Sequence, residues 1–286
     1  MNSNDKFKDD GYIIYKNLIS EKLIDDFFKI FYSDFINSTE SYPQMNNQEW
    51  GKVDISKNGF LKDPLADIHL FKFINSTHKD FTNSALNILC SNSIKSALKE
   101  IDLVEKHSIM MSMFFDQNKG TPAHQDWYYL DSLPNGNLIG AWIALEDINE
   151  KAGRFYVVPK SQNFFLELSY EEQNTPDLYE EIVFEYIKKN KLKVYSPELK
   201  KGDVLFWNSG TIHGSMKTID PKLSRKSFTA HFLPAGFDFV QNRYSNKIRK
   251  FKTFSHNDVD CRITRSVLNI KSPNPRSTSK FGSQSY

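Results

Sequence analysis

Thr121-Pro122-Ala123-His124-Gln125-Asp126-Trp127 sets a histidine and an aspartate two positions apart. In an extended chain such residues point to one face. An imidazole nitrogen and a carboxylate oxygen can then aim at one point. A third candidate stands far downstream in Gly210-Thr211-Ile212-His213-Gly214-Ser215. Two histidines and one carboxylate, with other positions left open, suit a non-haem Fe(II) oxygenase. A structural zinc site is closed, usually by four protein ligands, and only three are found here. His-x-Asp is also frequent by chance, and either residue can be a hydrogen-bonded surface group. The sequence around the stretch has to decide.

Upstream, His107–Phe115 reads as a buried strand, and Asn118-Lys119-Gly120 turns the chain towards the His-x-Asp stretch. Downstream, Ile139–Leu145, Gly153–Pro159, Leu192–Tyr195, Asp203–Trp207 and Ser227–Leu233 supply further short strands. Many short strands with turn signals between them indicate a sandwich, barrel or jelly roll. Residues 164–190 are acidic, helical around Tyr179–Lys189, and read as an insertion, either a lid or decoration. Near the start, Gly11–Leu18 is a β-rich run. Ser20 can cap a helix carrying Leu23, Phe27, Phe31 and Phe35, and residues 79–100 again read as helical. Residues 38–68 are polar and irregular and can border a pocket. After Lys271 the chain is rich in Ser, Pro, Asn and Lys and reads as a loose tail.

The 286 residues suit one large domain or two small ones. A hydrophobic content of 39% with 14% aromatics is enough for a sizeable core. The net charge is only +2, but residues 241–286 hold ten Lys/Arg against Asp258 and Asp260, a net +8. The remainder carries 27 basic against 33 acidic residues, a net −6. Such a basic segment meets an anionic partner or is a solvated surface. A helix-turn-helix or interleaved aromatic strand signal for nucleic acid is lacking. Two cysteines, Cys90 and Cys261, exclude a disulfide framework or a cysteine zinc pattern. The start is polar, without an apolar leader, and no apolar run reaches the ~18 residues a membrane span needs. The expectation is a cytoplasmic protein.

Several spaced features join the opening stretch. Gly202-Asp203 turns into the strand that would deliver His213. Arg225 follows His213 by twelve residues, where a buried guanidinium could hold a carboxylate through two parallel bonds. Ser215 could add a hydroxyl, and Trp142 could wall the pocket. Each has a plainer reading: Arg225 beside Lys226 as surface charge, Trp142 as core. Taken together, in this order and with Trp142-Ile-Ala-Leu-Glu-Asp and Gly153-Arg-Phe-Tyr-Val-Val-Pro-Lys-Ser161, they resemble the phytanoyl-CoA dioxygenase family, over roughly residues 10–235.

That resemblance implies a mainly β fold. Its core would be a double-stranded β-helix (jelly roll, cupin-like) over about 104–235, with N-terminal helices over about 19–100 packed outside. One domain would span 1–270, and 271–286 would be a polar basic tail. It also implies Fe(II) held by His124, Asp126 and His213, and 2-oxoglutarate as cosubstrate with O2. Arg225, helped by Ser215, would take the distal carboxylate of 2-oxoglutarate, and Gln125 and Trp142 would line its pocket. Related halogenases have Gly or Ala at the carboxylate position, so Asp126 implies hydroxylation or another oxidation and not halogenation; the reaction expected is hydroxylation of an unactivated C–H bond, with release of succinate and CO2. Pro159-Lys160-Ser161-Gln162 departs from the family's usual Pro-Gly-Ser-His, at a turn away from the metal. The substrate is read as a small polar metabolite, possibly anionic, in a pocket shaped by Tyr128, Tyr129 and the 38–68 loop. The alternative is a metal-binding jelly-roll module without turnover, a sugar-binding or sensor protein, which has no need of Arg225 and Ser215.

Overall fold

The computed structural model of the chain describes residues 2–43, 50–241 and 247–264. Helix α1 (Ser3–Asp10) is followed by strand β1 (Tyr12–Tyr15) and helix α2 (Glu21–Ile30). Ser20 caps α2, its hydroxyl accepting the Leu23 amide. The helix ends in a π turn, Phe31–Phe35, closed by the Ile36 amide on the Phe31 carbonyl. Phe27, Phe31 and Phe35 are all fully buried. The 38–68 stretch holds β2 (Ser41–Pro43) paired with β3 (Trp50–Lys52), then β4 (Leu65–Ala66). Helix α3 (Phe71–Ile74) leads into α4 (Lys79–Leu89) and α5 (Asn92–Asp102). The helical reading of 79–100 thus resolves into two helices. Ser91 breaks the run by accepting the Ile94 amide and starting the second.

The remaining strands are β5 (His107–Phe115), β6 (Asp131–Leu133), β7 (Ile139–Ala144) and β8 (Phe155–Val157), then β9 (Val204–Asn208) and β10 (His213–Ser215). They end with β11 (Ser227–Pro234), β12 (Asp238–Val240), β13 (Lys252–His256) and β14 (Val259–Ile263). Helices α6 (Tyr170–Asn174) and α7 (Pro176–Lys189) lie between β8 and β9. One eight-stranded sheet has the order β1-β9-β7-β11-β5-β14-β13, with β4 also paired to β5. Two short pairs, β8 with β10 and β6 with β12, complete the jelly roll.

Alternation along the strands gives the large sheet two different faces. Phe228, Ala230 and Phe232 of β11, Ala141 and Ile143 of β7, and Val204 and Phe206 of β9 join the helix-side core. There Phe27 of α2 packs edge-on against Phe228 at 4.8 Å, and Phe35 stacks on Phe81 of α4 at 4.2 Å. The odd-numbered Thr229 and His231, with Met111, Met113 and Phe115 of β5, face a cavity on the other side. A bulge on β5, where Met110 is the extra residue opposite the step from His231 to Phe232, lets Met111 face the cavity while Ile109 joins the helix-side core.

Two expectations change. Leu192–Tyr195 is no strand: Tyr195 makes a lone bridge to Val157. The turn after α7, with Lys191 at φ 50°, leaves too short an extended run for a ladder. Residues 252–263, read as part of a basic segment, are instead β13 and β14. The latter runs parallel to β5 and buries Cys261 completely. The tail over 271–286 lies outside the described residues. No helix among the described residues is long and apolar enough to cross a membrane.

Candidate metal centre

His124 and His213 are fixed to each other by their backbones. The His124 amide donates to the His213 carbonyl at 3.0 Å, and the return bond is 2.9 Å. The chain is extended through Gln125 and then bends, so Asp126 opens a 3₁₀ turn instead of continuing a strand. The three ligand atoms still converge, all within 4.8 Å of one another. Asp126 Oδ1 stands 3.7 Å from His124 Nε2 and 3.5 Å from His213 Nε2.

The surroundings orient each group. His124 Nδ1 donates to the Pro122 carbonyl and His213 Nδ1 to the Thr211 carbonyl, both at 2.9 Å. Both Nε2 atoms are thereby presented to the common point, as outer partners do for metal-binding histidines. Asp126 Oδ2 accepts the Trp207 indole N–H at 2.7 Å and lies 3.1 Å from His231 Nε2, which leaves Oδ1 for the centre. Burial alone would raise the Asp126 carboxyl, but His231, His213 and His124 outweigh it and hold it well below the usual range. Burial pulls His213 down to about 3, so its ring is neutral near pH 7, the form that binds a metal. Burial also opposes charge on His124, but Asp126 prevails and raises its pKa. Two imidazoles and one ionised carboxylate, with the remaining directions facing a cavity, are a donor set that fits a divalent first-row metal.

The cavity has a volume of about 960 Å³. Arg225 reaches it from two residues ahead of β11, only 2% exposed. Its guanidinium donates to the Gly153 carbonyl at 3.2 Å, while Nε has no partner. It lies between Phe115 and Trp142, at 5.8 and 5.7 Å from the ring centres. Burial lowers its pKa to about 9, so it remains a cation near neutrality. Trp142, Tyr128 and Tyr129 line the cavity. Gln125 and Ser215 do not. The Gln125 amide donates to the carbonyls of Gly210 and Phe164 and accepts the Trp127 indole N–H. Ser215 donates to the Thr121 carbonyl. Among the described residues, 38–68 contributes nothing to the lining; its buried Tyr42 and Leu65 belong to the helix-side core. The insertion with α6 and α7 is a wall of the cavity: Asp177 and Glu180 line it, and Tyr129 donates to Glu180 at 2.7 Å.

Sequence reading passed over Trp207 and His231. His231 carried a signal. Residues 225, 227, 229 and 231 share a parity, which in an extended strand puts them on the face of Arg225.

A jelly roll with two histidines, a carboxylate and a buried arginine around one cavity is the framework of a 2-oxoglutarate-dependent dioxygenase. The family model described as Phytanoyl-CoA dioxygenase (PhyH) matches residues 7–227, and the chain belongs to that family. Among its relatives, peroxisomal phytanoyl-CoA dioxygenase of Bos taurus is 24% identical over 252 residues, 82% of this chain and 68% of the relative. Phytanoyl-CoA dioxygenase domain-containing protein 1 of Danio rerio is 29% identical over 150 residues, 50% of each chain. The chain thus spans half the length of that second relative. Of solved structures, EctD from S. alaskensis with 2-oxoglutarate and 5-hydroxyectoine superposes with a TM-score of 0.60 at 13% identity, covering 90% of this chain and 86% of the other. The α-ketoglutarate-dependent carbocyclase SnoK from nogalamycin biosynthesis gives 0.59 at 15%, covering 84% and 85%. At such identities the likeness is one of fold.

Proposed function

We propose that this chain is an Fe(II)- and 2-oxoglutarate-dependent dioxygenase that hydroxylates an unactivated C–H bond of a small molecule, with release of succinate and CO2. His124, Asp126 and His213 hold the iron. Arg225 takes the distal carboxylate of 2-oxoglutarate through paired N–H bonds, with Trp142 beside it. The iron and its cosubstrate supply O2 activation and the oxidising power. The chain does the positioning. Trp207 and His231 keep Asp126 turned so that one oxygen faces the metal. Gln125 ties the bend after His124 to the Gly210 loop ahead of His213, and Ser215 ties β10 to the His124 segment. Phe115 and Trp142 keep water from the guanidinium, which strengthens its hold on an anion.

The observation that carries this reading is Arg225. A buried guanidinium with one carbonyl and no carboxylate among the described residues is costly unless an anion arrives from outside. The test is succinate formation from 2-oxoglutarate under air with Fe(II) and ascorbate, screened over candidate small molecules. Wild type is expected to release succinate. Asp126→Ala is expected to fall by at least about a hundredfold, beyond the ~10–100-fold that losing an outer partner of a ligand costs. Equal turnover in that variant would remove Asp126 from the mechanism.

A further inference from the structure

The cavity does not end at the metal. Its wall runs along β11 from Arg225 past Thr229 to His231, roughly 20 Å of extended chain. Past the end of β11 the chain turns into β12, and there Arg249 is fixed by its amide, which donates to the Phe239 carbonyl at 2.8 Å. Arg249 lines the cavity, and its Nε is buried with no hydrogen-bond partner. Asp177 and Glu180 line the cavity as well, yet no ion pair links either to Arg249, and Glu180 accepts the Tyr129 hydroxyl. Lys247 adds a second basic group to the same lining. Met111, Met113 and Leu130 add apolar surface to the lining.

We propose that the substrate carries an anionic group, a carboxylate or a phosphate, which Arg249 grips at the end of the cavity remote from Arg225. Its less polar body then lies over Met111, Met113 and Leu130, with a C–H bond directed at the metal. A buried guanidinium N–H without an acceptor is unfavourable, and an entering oxyanion satisfies it with a charge-assisted bond. The cavity has the size of sites that take a small ligand with most of its surface covered. The proposal rests on the reading above, which gives Arg225 to the cosubstrate and leaves the second guanidinium to the substrate.

The test uses the full chain loaded with Mn(II), a redox-quiet stand-in for Fe(II), and saturating 2-oxoglutarate. Calorimetric titration compares 3-phenylpropionate, phenyl phosphate and the uncharged 3-phenylpropanamide. Wild type is expected to bind one of the anions at least about tenfold more tightly than the amide, and which anion it is separates carboxylate from phosphate. Arg249→Gln is expected to abolish that preference, and Arg249→Lys to keep part of it. Amide and 2-oxoglutarate affinities should stay unchanged in Arg249→Gln, which excludes misfolding as the cause. No preference in wild type, absence of binding by all three probes included, overturns the proposal, as does a preference that survives Arg249→Gln. The cosubstrate reading is scored separately in the same samples. If wild type does not bind 2-oxoglutarate, that reading fails, and the anion preference still stands or falls on Arg249→Gln.

Discussion

Asp126 divides its labour between its two oxygens. Oδ2 accepts the Trp207 N–H and lies against His231, and Oδ1 faces the two histidines. Trp207→Phe keeps the ring but removes the N–H. The carboxylate then loses its shortest restraint, and metal affinity is expected to fall by ~10–100-fold. Competition titration of Mn(II) against a chelator measures this, and unchanged affinity would show that His231 suffices. At this scale the sequence was informative where chemistry is rare. That His124, Asp126, His213 and Arg225 gather at one cavity was legible from residue type, order and spacing. Gln125 and Ser215 were assigned to the cosubstrate, yet the Gln125 amide N–H groups and the Ser215 hydroxyl donate to backbone carbonyls that come near only in the folded chain. Arg249 was legible only as one charge among ten, because nothing local marks it as facing a cavity.

The elements that place Trp207 are β7 and β9, where Gly140 stands opposite it in register. A β-carbon on Gly140 would lie 2.1 Å from the indole, too close for any contact. The indole lies flat over a position that has no side chain, and this brings its N–H to Asp126. Gly140→Ala should therefore lower both thermal stability and metal affinity, the latter in the manner of Trp207→Phe. Loss of stability with affinity intact would show that the ring has another route to Asp126. The strands legible in the sequence, β1, β5, β7, β8, β9 and β11, lie in apolar runs bounded by turn signals. Those not read as strands, β2, β3, β4, β6, β10, β12 and the pair β13–β14, are short or polar, so tertiary pairing and not local pattern defines them. Asp126 itself breaks the strand expected there, because the chain must turn for its carboxylate to meet two histidines already joined by their backbones.

For the whole molecule, the layer of helices on the back of the sheet is built around Phe27. Its ring contacts Phe31, Phe81, Phe114 and Phe228, within 4.8–6.1 Å between centres. Phe27→Ala leaves a cavity in that cluster and is expected to cost ~3–5 kcal/mol of stability. Urea unfolding measures it, and metal affinity below the transition should not change, because Phe27 lies on the face away from the site. The helix-side aromatic stripe was legible from its spacing. The strand order was not, since it depends on which distant segments pair. That order has a consequence for synthesis. The centre of the sheet is β11, seated between β7 and β5, yet it leaves the ribosome after both of them. Until residue 234 has emerged, two long inner strands face each other across a gap and offer bare backbone edges to neighbouring nascent chains. A protein assembled this way relies on quick completion of its chain, and any fragment cut short before β11 is born with an adhesive seam.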